Sequence, residues 1–273
     1  MAANNWNWKS KDGRTGGLLY ESGNWGDILK MLWVTEIIRW KQKAGINCNY
    51  FDPFAGNVRY PLGKKYGFRI EQCWLKELDF IHEAFLANGF WPSAASGALL
   101  LATGRAEVWD ADPGRRENWQ LAGVRLADAE GAAGPDASGW NLLRNHRADP
   151  DALWLLDPYD FLAEWRARLE LVAEKSRSSS ILLYVYNRSA KNNETFGDYR
   201  RFRGRLDDLR GDMPLRLGRV AADCFLPRSH HEMVFLPGEE DCRRPGFEQL
   251  LDRLGDLAEK LARAQRRLAV FDC

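Results

Sequence analysis

The sequence predicts an α/β protein built on a mostly parallel β-sheet. Three observations carry this expectation. Short apolar runs alternate with helical patterns, several of those runs stop at an acid or amide, and a glycine-bearing turn follows the first of them. Alternating strands and helices favour a parallel sheet covered on both faces, because each crossover helix packs back onto the sheet.

In chain order, residues 1–18 are polar, glycine-rich and aperiodic, and are read as a flexible N-terminal arm. Residues 19–273 are read as one domain, with a helical insert over 64–92 and a further insertion over 188–214. From Asp27 to about Lys43 the pattern is helical. Ile28, Leu32, Thr35, Ile38 and Trp40 fall near one face, with an acid early and lysines late, as the helix dipole favours. "INCNYF" is a short strand running into the turn "DPFAGNV", and "EQCWLKELDFIHEAFLANG" reads as an amphipathic helix stopped by Gly89. "AEVWD", "VRLADA", "ALWLLDP" and "SILLYVYN" read as further strands. "LRLGRVAADCFL" and "HEMVFLPG" form an antiparallel pair around "PRSH". The last helix is "FEQLLDRLGDLAEKLARAQRRL", with i, i+4 charge pairs on its solvated side.

Composition narrows the function classes. The 273 residues suit one large domain, and 45% hydrophobic with 28% charged residues is ordinary for a soluble globular chain. A net charge of +1 gives no global basic field, so nucleic-acid contact has to come from a local patch. No apolar run is long enough to span a membrane, and the N-terminus lacks an apolar signal core, so the reading is cytoplasmic without membrane partners. Five scattered cysteines with no CxxC pair fit a reducing compartment and point to no metal site. Twelve tryptophans serve either core packing or a surface that stacks on a partner.

The candidate site gathers at strand ends. Asp52, Asp110, Asp128 and Asp157 each terminate an apolar run, and open parallel sheets bind ligands beyond the carboxyl ends of their strands. Asp110, after the second such strand, is placed to accept hydrogen bonds from ribose hydroxyls; the plainer reading is that strand-end aspartates cap helices. In the turn after Asp52, Gly56 lets backbone approach a ligand, and Asn57 tolerates a left-handed conformation where the β-branched Val58 does not. "LWLLDPYDF" delivers Asp157, Pro158 and Tyr159 at a buried strand's tip. Methyl transfer to a base's exocyclic amine needs such a tip: an acceptor for the amine, a stiff turn and an aromatic that stacks on an unstacked base. The plainer reading is a proline turn. "DYRRFRGR" sets Arg200, Arg201, Arg203 and Arg205 around Phe202, a pattern that suits phosphates and bases, against the alternative of a solvated helix face. His82, His146 and the His230–His231 pair read as structural or surface residues.

Several stretches together resemble the RlmJ family, S-adenosyl-L-methionine-dependent enzymes that methylate an adenine N6 in large-subunit ribosomal RNA. "YESGNWGDILKMLWVTEII" resembles that family's opening at Gly23, Asn24, Asp27, Leu29 and Lys30. "NYFDPFAGNVRYPLG" resembles its glycine loop at Asp52, Ala55, Gly56, Arg59, Tyr60, Leu62 and Gly63, and "LLDPYDF" resembles its Asp-Pro-Pro-Tyr strand end. Over roughly residues 20–265 the resemblance implies a Rossmann-like class I methyltransferase fold, mostly parallel, with a C-terminal antiparallel hairpin and a helical insert. It also implies a cofactor pocket lined by Lys30, Asp52, Phe54, Gly56, Asp110, Ser138 and Gly139. The catalytic tip would be Asp157, Pro158 and Tyr159; the candidate nucleic-acid contacts Arg200, Arg201, Phe202 and Arg203 rest on the "DYRRFRGR" pattern alone.

The departures cluster at the cofactor. Met31 and Phe54 stand where the family has histidines, Val58 replaces a loop glycine, Ala94 replaces a serine, and Ser138-Gly139 aligns with its Asp-Gly. Each lost hydrogen bond costs on the order of 0.5–1.5 kcal/mol, so together they would remove about 3–6 kcal/mol of cofactor affinity. Two expectations follow. One is adenine-N6 methyl transfer in RNA or DNA. The other is a methyltransferase-fold subunit with weak or absent S-adenosyl-L-methionine binding, kept as a nucleic-acid- or protein-binding module in a complex.

Overall fold

A computed structural model describes residues 25–62, 76–127, 139–158, 161–186, 200–206, 222–226 and 231–268. The arm over 1–18, and the insertion over 188–214 apart from 200–206, lie outside the described residues. The elements run α1 (Trp25–Lys43), β1 (Asn49–Asp52), β2 (Arg59–Pro61), β3 (Phe90–Pro92), α2 (Ala94–Leu99), β4 (Ala106–Val108), α3 (Pro113–Leu121), α4 (Gly139–Asn145), β5 (Ala152–Leu156), α5 (Trp165–Lys175), β6 (Ser180–Tyr186), β7 (Ala222–Leu226), β8 (His231–Leu236), α6 (Glu239–Arg243) and α7 (Phe247–Leu268).

Six strands form one sheet in the order β4-β1-β5-β6-β8-β7. The first four are mutually parallel, and β8 runs antiparallel between β6 and β7. Leu126 bridges Val108 in parallel beyond β4, which is where "VRLADA" was expected to add a strand. The chain builds outward from β1 to β4 on one side and returns to β5 on the other. The order therefore reverses between β1 and β5, and ligands of open α/β sheets bind at such a point.

Both faces of the sheet are covered, so its strands read as continuous apolar runs. Alternation sorts the side chains. Leu153, Leu155, Leu182, Tyr184, Met233 and Phe235 pack with α1, α2 and α7 on one face. Trp154, Leu156, Ile181, Leu183, Val185, Val234 and Leu236 pack on the other with Trp140 and Leu143 of α4, α5 and the helical stretch 200–206. Amphipathic spacing places Leu250, Leu254, Leu257 and Leu261 of α7 in the first cluster.

Two elements differ from the sequence reading. The single apolar face expected of α1 is instead burial nearly all round: of its residues, only Glu36, Arg39, Gln42 and Lys43 are not fully buried. A helix enclosed by sheet and neighbouring helices has no solvent face to keep polar, and Lys41 is buried by pairing with Asp241 at 2.5 Å. Over 76–88 two 3₁₀ turns, Lys76–Ile81 and Leu86–Asn88, replace the continuous amphipathic helix. The buried pair there, Leu78 and Ile81, is three apart, the repeat at which 3₁₀ side chains align. Gly89 does stop this segment, at φ +76°. Among the described residues, no helix is long and apolar enough to cross a membrane.

Candidate active site

The acids that end β1 and β5 sit on neighbouring strands at the point where strand order reverses. Tyr50 and Asp52 share a face by strand alternation, and the Tyr50 hydroxyl donates to Asp52 Oδ2 at 3.2 Å. Asp52 Oδ1 accepts from the Phe54 N–H at 3.1 Å. That face looks toward α1. From α1, Lys30 reaches across to Asp157, with Nζ 2.5 Å from Oδ2, and also pairs with Asp27 one turn earlier at 3.2 Å. Lys30 Nζ stands 4.5 Å from the centre of the Tyr184 ring, a cation–π contact. The family resemblance assigned Lys30 to the cofactor; the structure seats it on the acid of the strand tip.

Electrostatics follow from this burial. Desolvation pushes the Asp52 carboxyl up to about 7; the Phe54 N–H and Lys30 act against that, and the neighbouring Asp157 carboxylate adds to it. The Asp157 carboxyl is also raised, mainly by burial, with Lys30 opposing. Its side chain keeps 28% of its surface accessible, so a ligand can still meet it. Burial therefore raises both strand-end acids, Asp52 to about 7, and raised carboxyls cluster at acid–base sites.

The glycine turn closes against the tip of β4. Gly56 adopts φ +65° and its N–H donates to Asp110 Oδ2 at 2.9 Å. Its carbonyl accepts from Trp119 Nε1 at 2.9 Å. The Tyr60 hydroxyl accepts the Asn57 N–H at 2.9 Å and would lie well inside contact distance of a Cβ on Gly56, so only glycine fits. Asp110 is held at both oxygens: Oδ1 accepts from the Asp112 N–H at 2.8 Å, and Arg115 reaches Oδ2 at 3.2 Å and Oδ1 at 3.5 Å. Asp112 caps α3 and Pro113 opens it, which swings Arg115 back over the tip. Gly139 opens α4 hard against Pro53 and the Phe54 ring, and Phe54 packs on Trp140 with ring centres 5.3 Å apart.

The structure thus brings together Lys30, Asp52, Phe54, Gly56, Asp110, Gly139 and Asp157, with Pro158 buried behind the tip. Ser138 and Tyr159 lie outside the described residues. Phe202 corrects the sequence reading: it is 0% exposed, edge-on to Phe161 and Trp165, so its ring serves the core and does not stack on bases. Arg203 is drawn to the buried Glu232, while Arg200 and Arg201 are exposed. Arg115, Tyr60, Tyr50 and Trp140 are site residues that the sequence reading left without a role of this kind.

Sheet order, antiparallel end and strand-tip acids define a Rossmann-like α/β fold of the methyltransferase kind. No protein-family model matches the chain, and no curated protein matches it. Solved structures do match. The crystal structure of protein LPL1258 from Legionella pneumophila strain Philadelphia 1, assigned to the family DUF519, aligns over 88% of this chain and 94% of its own, with a TM-score of 0.58 and 13% identity. At that identity the likeness is one of fold.

Proposed function

We propose that this chain transfers a methyl group from S-adenosyl-L-methionine to the N6 amine of an adenine in RNA or DNA. The observation that carries this reading is the adjacency of Asp52 and Asp157 on neighbouring parallel strands, with Asp157 anchored by Lys30. The donor set suits the cofactor. Asp27 and Asp157 both pair with Lys30, so carboxyl groups already face this cation and shield an incoming sulfonium from it, and Gly56 presents backbone without a Cβ. Asp52, Phe54, Gly56, Asp110 and Gly139 would hold the cofactor, which supplies an electrophilic methyl group when bound.

The chain's own residues supply the rest. Lys30 fixes Asp157 through Oδ2 and leaves Oδ1 to accept an N–H of the amine. That hydrogen bond turns the nitrogen lone pair toward the methyl group, so rate comes chiefly from orientation. The amine nitrogen would turn cationic on methylation, with the C–S electron pair leaving on the sulfide of S-adenosylhomocysteine, and the raised carboxyl of Asp157 would be suited to take its proton. Pro158 stiffens the tip, Tyr159 stacks on the base, and Arg200 and Arg201 contact the phosphate backbone. Labelled methyl transfer to an adenine-containing nucleic acid, with N6-methyladenine read by mass spectrometry, tests this. Asp157→Ala should abolish transfer and leave affinity for S-adenosylhomocysteine within about threefold; equal loss of both overturns the roles assigned here.

One observation favours the second reading, a non-catalytic subunit that binds nucleic acid or partner proteins: both Asp110 oxygens are already engaged by this chain's own donors. Absence of nucleoside binding by the folded protein would establish it over the first.

A further inference from the structure

We propose that Arg115 controls whether this site accepts a ribose diol, by occupying from within the chain the positions on Asp110 that the diol would use. The inference rests on the reading that a nucleoside binds across β1 and β4. A carboxylate offers about four acceptor positions. On Asp110 the Gly56 and Asp112 N–H groups take one oxygen each, and Arg115 covers what remains on both. A diol therefore has to displace one of these three donors.

Geometry selects Arg115 as the one that leaves. The two N–H donors belong to backbone fixed by the glycine turn and by the start of α3. Arg115 is a long side chain with 29% of its surface exposed, against 8% for Asp110, so it has solvent to turn into. Its contacts of 3.2 and 3.5 Å are long for a guanidinium–carboxylate pair, for which about 2.7–2.9 Å is usual. It also stands in the first turn of α3, where the helix dipole disfavours a cation. The neighbouring Arg116 behaves differently: it bonds the carbonyls of Asp110 at 2.7 Å and Ala111 at 3.0 Å and lies over Trp109, so it braces the tip and leaves the carboxylate alone. The chain thus carries its own competitor for the diol seat, and nucleoside affinity reflects the exchange of Arg115 for ribose.

The test is calorimetric titration of the whole chain and its Arg115→Ala and Arg115→Met variants, the latter keeping apolar bulk. The ligands are S-adenosylhomocysteine and its 2′,3′-dideoxy counterpart, and thermal melts check folding. Freeing hydrogen-bond positions on a charged acceptor should tighten S-adenosylhomocysteine about tenfold or more in both variants. The dideoxy ligand should gain little, so preference for the diol appears in the variants and is small in the wild type. Equal or weaker binding by the variants, or equal gains for both ligands, overturns the role of Arg115 while leaving nucleoside binding intact. No binding by any of the three folded proteins overturns the nucleoside reading, and this inference with it.

Discussion

Lys30 Nζ lies 2.5 Å from Asp157 Oδ2, tying the first described helix to the tip of β5 across 127 residues of sequence. Lys30 is the cation that opposes the burial of Asp157. Lys30→Met should therefore push the Asp157 carboxyl higher still. The acidic limb of the pH–rate profile for methyl transfer should move to higher pH, and activity at neutral pH should fall by about tenfold or more, as a loss of roughly 1.4 kcal/mol implies. An unmoved limb would separate Lys30 from the acid it touches.

Asp52 makes stability depend on pH. Its folded carboxyl titrates at about 7, above the unfolded value of about 4. A raised value means the folded state holds the proton more tightly, so this contribution is full below about pH 4 and is lost as pH rises through 7. Asp52→Asn removes the dependence. Thermal melts should show the variant gaining on the wild type between pH 5 and pH 8, by roughly 2–4 kcal/mol at the upper end. A wild type that gains on the variant as pH rises would contradict the assignment.

Gly56 and Tyr60 should be coupled. Gly56→Ala runs its new methyl into the Tyr60 hydroxyl and strains a backbone at φ +65°. Tyr60→Phe removes the clashing oxygen and leaves ring carbon at 3.6 Å, an ordinary contact, but takes the acceptor from the Asn57 N–H. In a double-mutant cycle by denaturant melts, Gly56→Ala should cost at least about 1 kcal/mol less when Tyr60→Phe is already present. Simple additivity would show that the two residues do not meet.

The Lys41–Asp241 pair is 0% exposed at both side chains, and Ser180 Oγ donates to the same Asp241 oxygen at 2.5 Å. Lys41→Met removes the fully buried one of two cations on Asp241, leaving Arg244 Nε at 3.0 Å from Oδ1, and should lower stability by up to about 3–5 kcal/mol. Adding Asp241→Asn should restore part of that loss, because the buried carboxylate that has lost Lys41 is then neutral. A double variant no more stable than the single one would mean the charge is not the source of the cost.

Phe202 and Arg200 offer a contrast on one short helical stretch. Phe202→Ala should cost about 3–5 kcal/mol of stability, as for any large core aromatic. Arg200→Ala together with Arg201→Ala should leave the melt nearly unchanged and flatten the salt dependence of nucleic-acid binding. The reverse pattern would restore Phe202 as a stacking residue.

The strand tips were readable from sequence because apolar runs stop at acids: Asp52 and Asp157 needed only local pattern to be placed on one rim. Pairing was not readable. Which acid Lys30 meets depends on how α1 is turned against a strand more than a hundred residues away, and no local period encodes that. Phe202 shows the limit of reading by composition. Its arginine neighbours imply a nucleic-acid surface, yet Phe202 and Leu206 are four apart and both buried, while Arg201 and Arg205, also four apart, are exposed. The Asp112–Pro113 helix start carried a legible signal for Arg115, since it fixes which residues occupy the first turn above β4. The near-continuous apolar run from Ile28 to Val34 marked α1 as an enclosed helix more clearly than its apparent single face did.

The central claim is that the rim formed by β1, β4 and β5 binds a sulfonium nucleoside. Calorimetric titration of S-adenosylhomocysteine into the folded wild-type chain tests it most directly. The expected result is saturable heat with a dissociation constant below about 1 mM, or roughly −4 kcal/mol, weakened by Gly56→Val at the turn. No heat at millimolar ligand, from a protein that melts cooperatively, would contradict it.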